Sequence, residues 1–214
     1  MTPTLYGYWR SSAAYRLRIA LNLKQIDYKQ VSINLKDGEQ LGDAWRALQP
    51  QGLVPVLEHA DTRLLQSPAI LEWIDESWPN PALLPTNPID RCIVRGWASM
   101  IGCEIHPLQN LRVLKTVAGD LGQGPEGMKA WAQRWMRSGL EALEQSVKGA
   151  TRSGPYLWGD QPSMADVYLV PQMYNARRWE VDLSACPTLI AADATACAHP
   201  AFEKAAPENQ PDAG

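Results

Sequence analysis

The sequence predicts an α/β domain followed by an all-helical one, and three observations carry that expectation. Over the first part of the chain, short stretches of strand character alternate with helical periods. The segment WPNPALLPTNP (78–88) then concentrates Pro79, Pro81, Pro85 and Pro88, which remove backbone donors and block helix, so it reads as an extended connector. Beyond it, every long segment repeats its apolar residues at helical spacing. The expected division is a domain over 1–82, a linker over 83–88 and a helical domain over 89–214.

Each element follows from its own residues. TLYGYW (4–9) reads as a strand, and SSAAYRLRIALNLK (11–24) as a helix with Leu17, Ala20 and Leu21 at helical spacing. DYKQVSINL (27–35) alternates, placing Val31, Ile33 and Leu35 on one face of a second strand. EQLGDAWRAL (39–48) reads as a short helix, and LVPVLEH (53–59) with TRLLQ (62–66) as a hairpin. SPAILEWIDESW (67–78) reads as a helix with Ser67 as its N-cap and Pro68 at the first helical position, where the missing N–H costs nothing. The order βαβαββα predicts one parallel strand pair and one antiparallel pair. After the connector, 91–117, 126–147 and 159–179 are helical in period, and Ser163 with Asp166 forms an S-x-x-D capping box.

Composition excludes several classes of function. The chain has 214 residues, a net charge of −3 and no long basic run, which argues against a nucleic-acid partner. The four cysteines, Cys92, Cys103, Cys186 and Cys197, show no CxxC spacing, so neither a metal site nor a disulfide framework is expected. No apolar run approaches the roughly 20 residues of a membrane span, and MTPTLYGYWR lacks the features of a signal peptide. A reduced, cytoplasmic protein is expected.

A few positions carry chemistry. Pro55 cannot donate to a strand ladder, so either it is an ordinary edge proline or a cis Val54–Pro55 bond turns the backbone of Val54 outward to pair with an extended peptide. Gln66 and Ser67 end a strand and begin a helix, where free N–H groups suit a ligand carboxylate. Ser11 and Ser12 stand at the same kind of junction. Capping accounts for one hydroxyl, and the other is available to a thiolate, which the positive end of the helix also favours. A free thiol titrates near ~8.5, so stabilising its anion supplies nucleophile at neutral pH. Arg10 adjoins the serines, Arg112 follows His106 and Asn110 in HPLQNLR, and Arg177 and Arg178 lie in ARRW; arginine grips carboxylates through paired hydrogen bonds. Taken singly, each arginine reads better as a solvated surface charge or an ion pair, and His106 as a structural histidine.

RSSAAYRLRIALNLKQIDY resembles the zeta-class glutathione transferase signature SSCSWRVRIAL. The likeness continues in order through NLKDGEQ, LQPQGLVPVL, LQSPAILEWIDE, NPALLP, IHPLQNLRVL, GDQPSMADVYLVPQ, NARRWEVDL and the closing HPAF…NQPD. The resemblance implies a thioredoxin-like N-terminal domain, an all-α C-terminal domain, glutathione as cofactor and a homodimer. By position it sets Ser11 and Ser12 toward the glutathione sulfur, and Gln40 and Gln51 along the tripeptide. It pairs Val54, before a cis Pro55, with the tripeptide backbone, and gives its γ-glutamyl end to Gln66 and Ser67. The sequence departs at Ala13, where the signature has cysteine, and at Arg112, where many members have a small residue.

The implied reaction is cis–trans isomerisation of a maleyl keto acid, maleylacetoacetate or maleylpyruvate. Ser11 and Ser12 would activate the thiol; Arg10, Arg112 and Arg178 would hold carboxylates and the developing negative charge, with His106 and Asn110 as polar neighbours. A third arginine at 112 would favour the shorter acid. Two other readings are a transferase or dehalogenase acting on small electrophiles such as α-haloacids, and a non-catalytic module of the same fold.

Overall fold

The computed structural model describes residues 1–151 and 153–213. The chain forms two compact units, Met1–Ala82 together with the C-terminal segment from Ala198, and Leu83–Cys197. The sequence reading carried the helical domain on to 214. The segment from Ala198 instead packs with the first unit, because polar groups of the first helix reach its carbonyls: Arg18 Nε donates to Ala205 O at 2.9 Å and Asn22 Nδ2 to Ala201 O at 3.0 Å.

In the first unit, β1 (Thr4–Gly7), α1 (Ser12–Leu23) and β2 (Lys29–Ser32) are followed by a 3₁₀ turn (Glu39–Leu41) and α2 (Asp43–Arg46). The unit's first part closes with β3 (Val56–His59), β4 (Thr62–Leu65) and α3 (Ser67–Ser77). The sheet order is β2-β1-β3-β4, with β1 parallel to β2 and antiparallel to β3, and β3 antiparallel to β4. This is the thioredoxin-like arrangement that the βαβ and ββα halves imply. β2 is shorter than its alternation suggests. It ends at Ser32 on the sheet edge, and Val31, set by the alternation on one face with Ile33 and Leu35, is 39% exposed. β3 begins only after Pro55, which has no N–H for the ladder; the Val54–Pro55 bond is cis, and so is Asn80–Pro81.

α1 is buried nearly all round, including Arg16 and Arg18 at 1% exposure each. Its periodicity suggested one buried stripe. The second face is covered because α3 packs against it and so does α9 (Pro200–Ala205) of the returning C-terminal segment.

The connector retains no regular element before Pro88, yet its Leu83 and Leu84 side chains are buried. The second unit comprises α4 (Pro88–Ser99), α5 (Leu111–Ala118), α6 (Gly124–Gly149), α7 (Met164–Arg178) and α8 (Pro187–Cys197). The single helical period expected over 91–117 is broken by a π turn (Met100–Ile105) and a 3₁₀ turn (Pro107–Gln109). Pro107 is one cause, since it has no N–H to continue the ladder. Close packing at Gly102 is another feature of this turn: a Cβ there would lie 2.8 Å from the Tyr168 ring of α7. Among the described residues no helix is long and apolar enough to cross a membrane, and no group of His, Cys, Asp or Glu is arranged to hold a metal.

Candidate functional site

Two helix starts in the first unit carry the residues singled out from sequence. Ser11 is the N-cap of α1, with extended backbone (φ −66°, ψ 116°), and its Oγ accepts from Ala14 N at 3.2 Å. A hydroxyl oxygen that accepts keeps its own proton to donate. Ser11 is partly exposed at the mouth of the helix, whereas Ser12, the first helical residue, is 8% exposed. The sequence left open which serine caps the helix and which is free for a thiolate. The capping hydroxyl is also the more accessible one. Arg10 is exposed and lies over the Trp9 ring, 4.8 Å from its centroid.

At the start of α3 the sequence assignment shifts by one residue. Gln66, not Ser67, is the N-cap, and it makes no side-chain capping bond; Ser67 is the first helical residue and Pro68 the second. Gln66 sits at φ 70°, ψ 110°, outside the right-handed region, so the helix can begin no earlier than Ser67. A non-glycine residue held at positive φ is a local strain of the kind found where a ligand is gripped. The Gln66 side chain is held too: its Nε2 donates to Gln51 Oε1 at 2.6 Å, and Gln49 Nε2 donates to the same oxygen at 3.3 Å. Ser67 is buried and accepts a 3.5 Å hydrogen bond from Arg16 Nη1, so a cation of α1 stands behind the α3 start. Arg16 was not singled out from sequence; in RLRIAL it reads as the solvent side of a helix.

Gln51 leads to Gly52, at φ +65°, where a Cβ would come within 2.9 Å of Gln40 O. This turn therefore brings Gln40 and Gln51 into one neighbourhood. Gln40 is 7% exposed, and its side-chain oxygen is buried with no hydrogen-bond partner among the described residues. An orphaned buried acceptor is costly unless a donor arrives. Leu53, Val54 and Pro55 follow, with Val54 only partly buried and outside the strand ladder.

These features fit glutathione. The orphaned Gln40 oxygen suits an amide N–H, the α3 start with Ser67 and Arg16 suits a carboxylate, and the Ser11 proton suits a thiolate. Ser11, Ser12, Gln40, Gln51, Val54, Pro55, Gln66 and Ser67 all lie in the first unit.

His106, Asn110, Arg112 and Arg178 lie in the second unit. Asn110 is the N-cap of α5, its Oδ1 accepting from Arg112 N at 3.2 Å, and the Arg112 side chain is exposed. Arg177 is ion-paired with Asp193. Arg178 donates through Nε (3.2 Å) and Nη2 (2.8 Å) to Asn175 Oδ1. Asn175 Nδ2 donates in turn to Gln109 Oε1, and Gln109 Nε2 to Gln172 Oε1 at 3.2 Å. All three amides are buried. This chain ties α7 to the turn between His106 and Asn110. The sequence offered no signal for Gln109 or Asn175, because a buried amide looks like any surface amide until its partners are placed.

Residues 1–76 match the glutathione S-transferase N-terminal domain family. A maleylpyruvate isomerase from Ralstonia sp is 44% identical, over 97% of this chain and 98% of that protein. The holo structure of a maleylpyruvate isomerase, described as a bacterial zeta-class glutathione transferase, superposes with a TM-score of 0.97 at 44% identity, over 99% of this chain and 100% of that one. A maleylacetoacetate isomerase from Anaeromyxobacter dehalogenans, solved with glutathione in its active site, gives 0.89 at 41% identity, over 100% and 98%. With likeness of this degree over essentially the whole length, the chain belongs to the zeta-class glutathione transferases of the maleylacetoacetate and maleylpyruvate isomerase family.

Proposed function

We propose that the protein catalyses the glutathione-dependent cis–trans isomerisation of a maleyl keto acid, maleylacetoacetate or maleylpyruvate, to its fumaryl isomer. The observation that carries this reading is the pair of helix starts in one thioredoxin-like unit, with the Ser11 hydroxyl at one and Ser67, backed by Arg16, at the other. Bound glutathione supplies a thiol whose reversible addition turns the cis double bond into a single bond that can rotate.

The chain's own residues have separable tasks. Ser11 donates its proton to the thiolate while its oxygen accepts from Ala14 N, so one side chain both starts the helix and holds the anion. Ser67 and the N–H groups of the α3 start take the γ-glutamyl carboxylate, with Gln66 positioned by Gln51. Gln40 accepts from the peptide, and Val54 pairs with its backbone. Arg10, Arg112 and Arg178 supply cations for the substrate's carboxylates and for the negative charge that develops on its ketone oxygen, and His106 and Asn110 supply further polar groups. Ala13 means that no thiol is needed at that position. The protein works as a homodimer in the cytoplasm on this reading.

The test is the loss of substrate absorbance with each maleyl keto acid, with and without glutathione. A rate that depends on glutathione is expected for at least one acid, and the faster acid identifies the preferred substrate. Equal rates without glutathione would overturn the mechanism.

A further inference from the structure

The residue immediately before Arg10 and Ser11 is held on both sides by side chains remote in sequence. Trp9 N donates to Asp212 Oδ2 at 3.1 Å, and Trp9 O accepts from Arg18 Nη2 at 2.9 Å. Asp212 belongs to the C-terminal segment, and the same oxygen accepts from Ser32 Oγ, at the end of β2, at 2.7 Å. Arg18 reaches that segment too, through Ala205 O. The segment is itself fastened. Gln210 Nε2 donates to Lys204 O (3.0 Å) and Ala206 O (2.7 Å), and Gln30 Nε2 donates to Gln210 Oε1 at 3.3 Å.

The other oxygen of Asp212 is buried and has no hydrogen-bond partner among the described residues. A carboxylate oxygen in that state is unfavourable and adds nothing to stability by itself. Arg18, the cation facing this region, is lowered to about 10 by its burial, against the opposing pull of Tyr28, Tyr15 and Asp212. The arrangement is therefore expensive for a simple tether, and what it fixes is one peptide, that of Trp9. Ser11 N donates back to Tyr8 O at 2.9 Å, so the turn hangs directly from the fixed peptide.

We propose that Asp212 is a positioning residue: the C-terminal segment sets the β1–α1 turn, and through it the Arg10 guanidinium and the Ser11 hydroxyl. This rests on the proposed role of Ser11 at the glutathione thiol. A small displacement is enough to matter, because catalytic geometry tolerates little; a shift of about 1 Å from a remote change costs up to ~100-fold.

The experiment compares wild type with Asp212→Ala and Asp212→Asn by three measurements: amide hydrogen exchange over Trp9–Ala14 without ligand, the ultraviolet thiolate absorbance of bound glutathione, and kcat/KM. For Asp212→Ala, faster exchange in this segment, a reduced thiolate signal and a fall of about tenfold in kcat/KM are expected. Asp212→Asn keeps an acceptor for Trp9 N and Ser32 Oγ and recovers most of each. A folded Asp212→Ala with wild-type exchange and thiolate signal overturns the proposal, and so does one that only melts earlier. If Asp212→Ala does not fold, Ser32→Ala takes its place: smaller changes in the same direction support the proposal, and wild-type values overturn it. Absence of a thiolate signal in the wild-type protein would instead overturn the role of Ser11, while the exchange measurement would still report on the tail.

Discussion

Two helix starts of each unit are finished in opposite ways. In the second unit the starts of α7 and α8 are closed by buried carboxylates. Asp166 of α7 accepts from Leu157 N (2.8 Å), Ser163 N (2.8 Å) and Ser163 Oγ (2.7 Å), and burial pushes its carboxyl above the ordinary 3.8 despite those bonds. Glu144 of α6 closes the start of α8 by accepting from Thr188 N (3.0 Å) and Leu189 N (2.9 Å). In the first unit, α3 has no side-chain cap at all, and α1 is capped by a hydroxyl that still has a proton to give. The difference separates two uses of the same backbone groups. A start satisfied by a buried carboxylate holds the fold together, and one left open is available to a ligand.

The comparison is broken most severely at its closed side. Asp166→Ala removes three hydrogen bonds inside the core of a helix start and is expected to lower stability by about 3 kcal/mol, read by denaturant unfolding. Glutathione affinity of the protein that remains folded should be little changed, which would confirm that closed starts serve the fold. At the open side, Ser11→Ala should cut kcat on the order of 100-fold through loss of the thiolate donor, with about 1 kcal/mol of stability lost with the cap. Ser12→Ala should cost less in turnover, and equal losses would show that the accessible hydroxyl is not the special one.

A third change sharpens the contrast within the second unit, where the amide chain Gln172–Gln109–Asn175 ends on the exposed guanidinium of Arg178. Asn175→Ala should raise KM for the keto acid about tenfold by releasing that guanidinium, while the affinity for glutathione stays near wild type. The smallest effect concerns acid. Burial pushes Glu144 up, but hydrogen bonds from Thr188, Lys148 and Leu189 outweigh it, so its carboxyl titrates below the ordinary 4.5. A carboxylate lowered by folding adds stability that is fully present above 4.5 and is lost as pH falls through the folded value. Glu144→Gln should therefore flatten the fall in melting temperature below that pH, read by thermal unfolding across the acid range.

Much of this was legible in the residues themselves. The alternation of strand and helix in the first part predicted the parallel β1–β2 pair and the antiparallel β3–β4 hairpin, both found, but not the antiparallel pairing of β1 with β3 that joins them. S-x-x-D at 163–166 predicted the capping box of α7. Pro55 marked the place where the ladder could not continue, and a cis bond before it was one of two stated outcomes. What failed did so for nameable reasons. Ser67 looked like a cap because serine and proline favour a helix start, but Ser67 itself takes helical backbone and the cap falls on Gln66, at positive φ. The strand expected over 27–35 stops at Ser32 and leaves Val31 exposed, because alternation shows that a strand has two faces, not that anything covers either of them.

The sequence by itself determined the order of elements, the position of the connector, and which hydroxyls and amides stand at helix starts. These depend on contacts within a few residues, where local propensity and capping are strong enough to be read directly. Only the tertiary structure decided that Ser11 is both cap and accessible donor, that Arg16 stands behind Ser67, that Gln109 ties Arg178 to the turn before α5, and that the tail from Ala198 returns to grip Trp9. The last three of those contacts join residues 51, 66 and 203 positions apart. No local pattern encodes such pairs, because each exists only once the folded backbone has brought a donor to its acceptor.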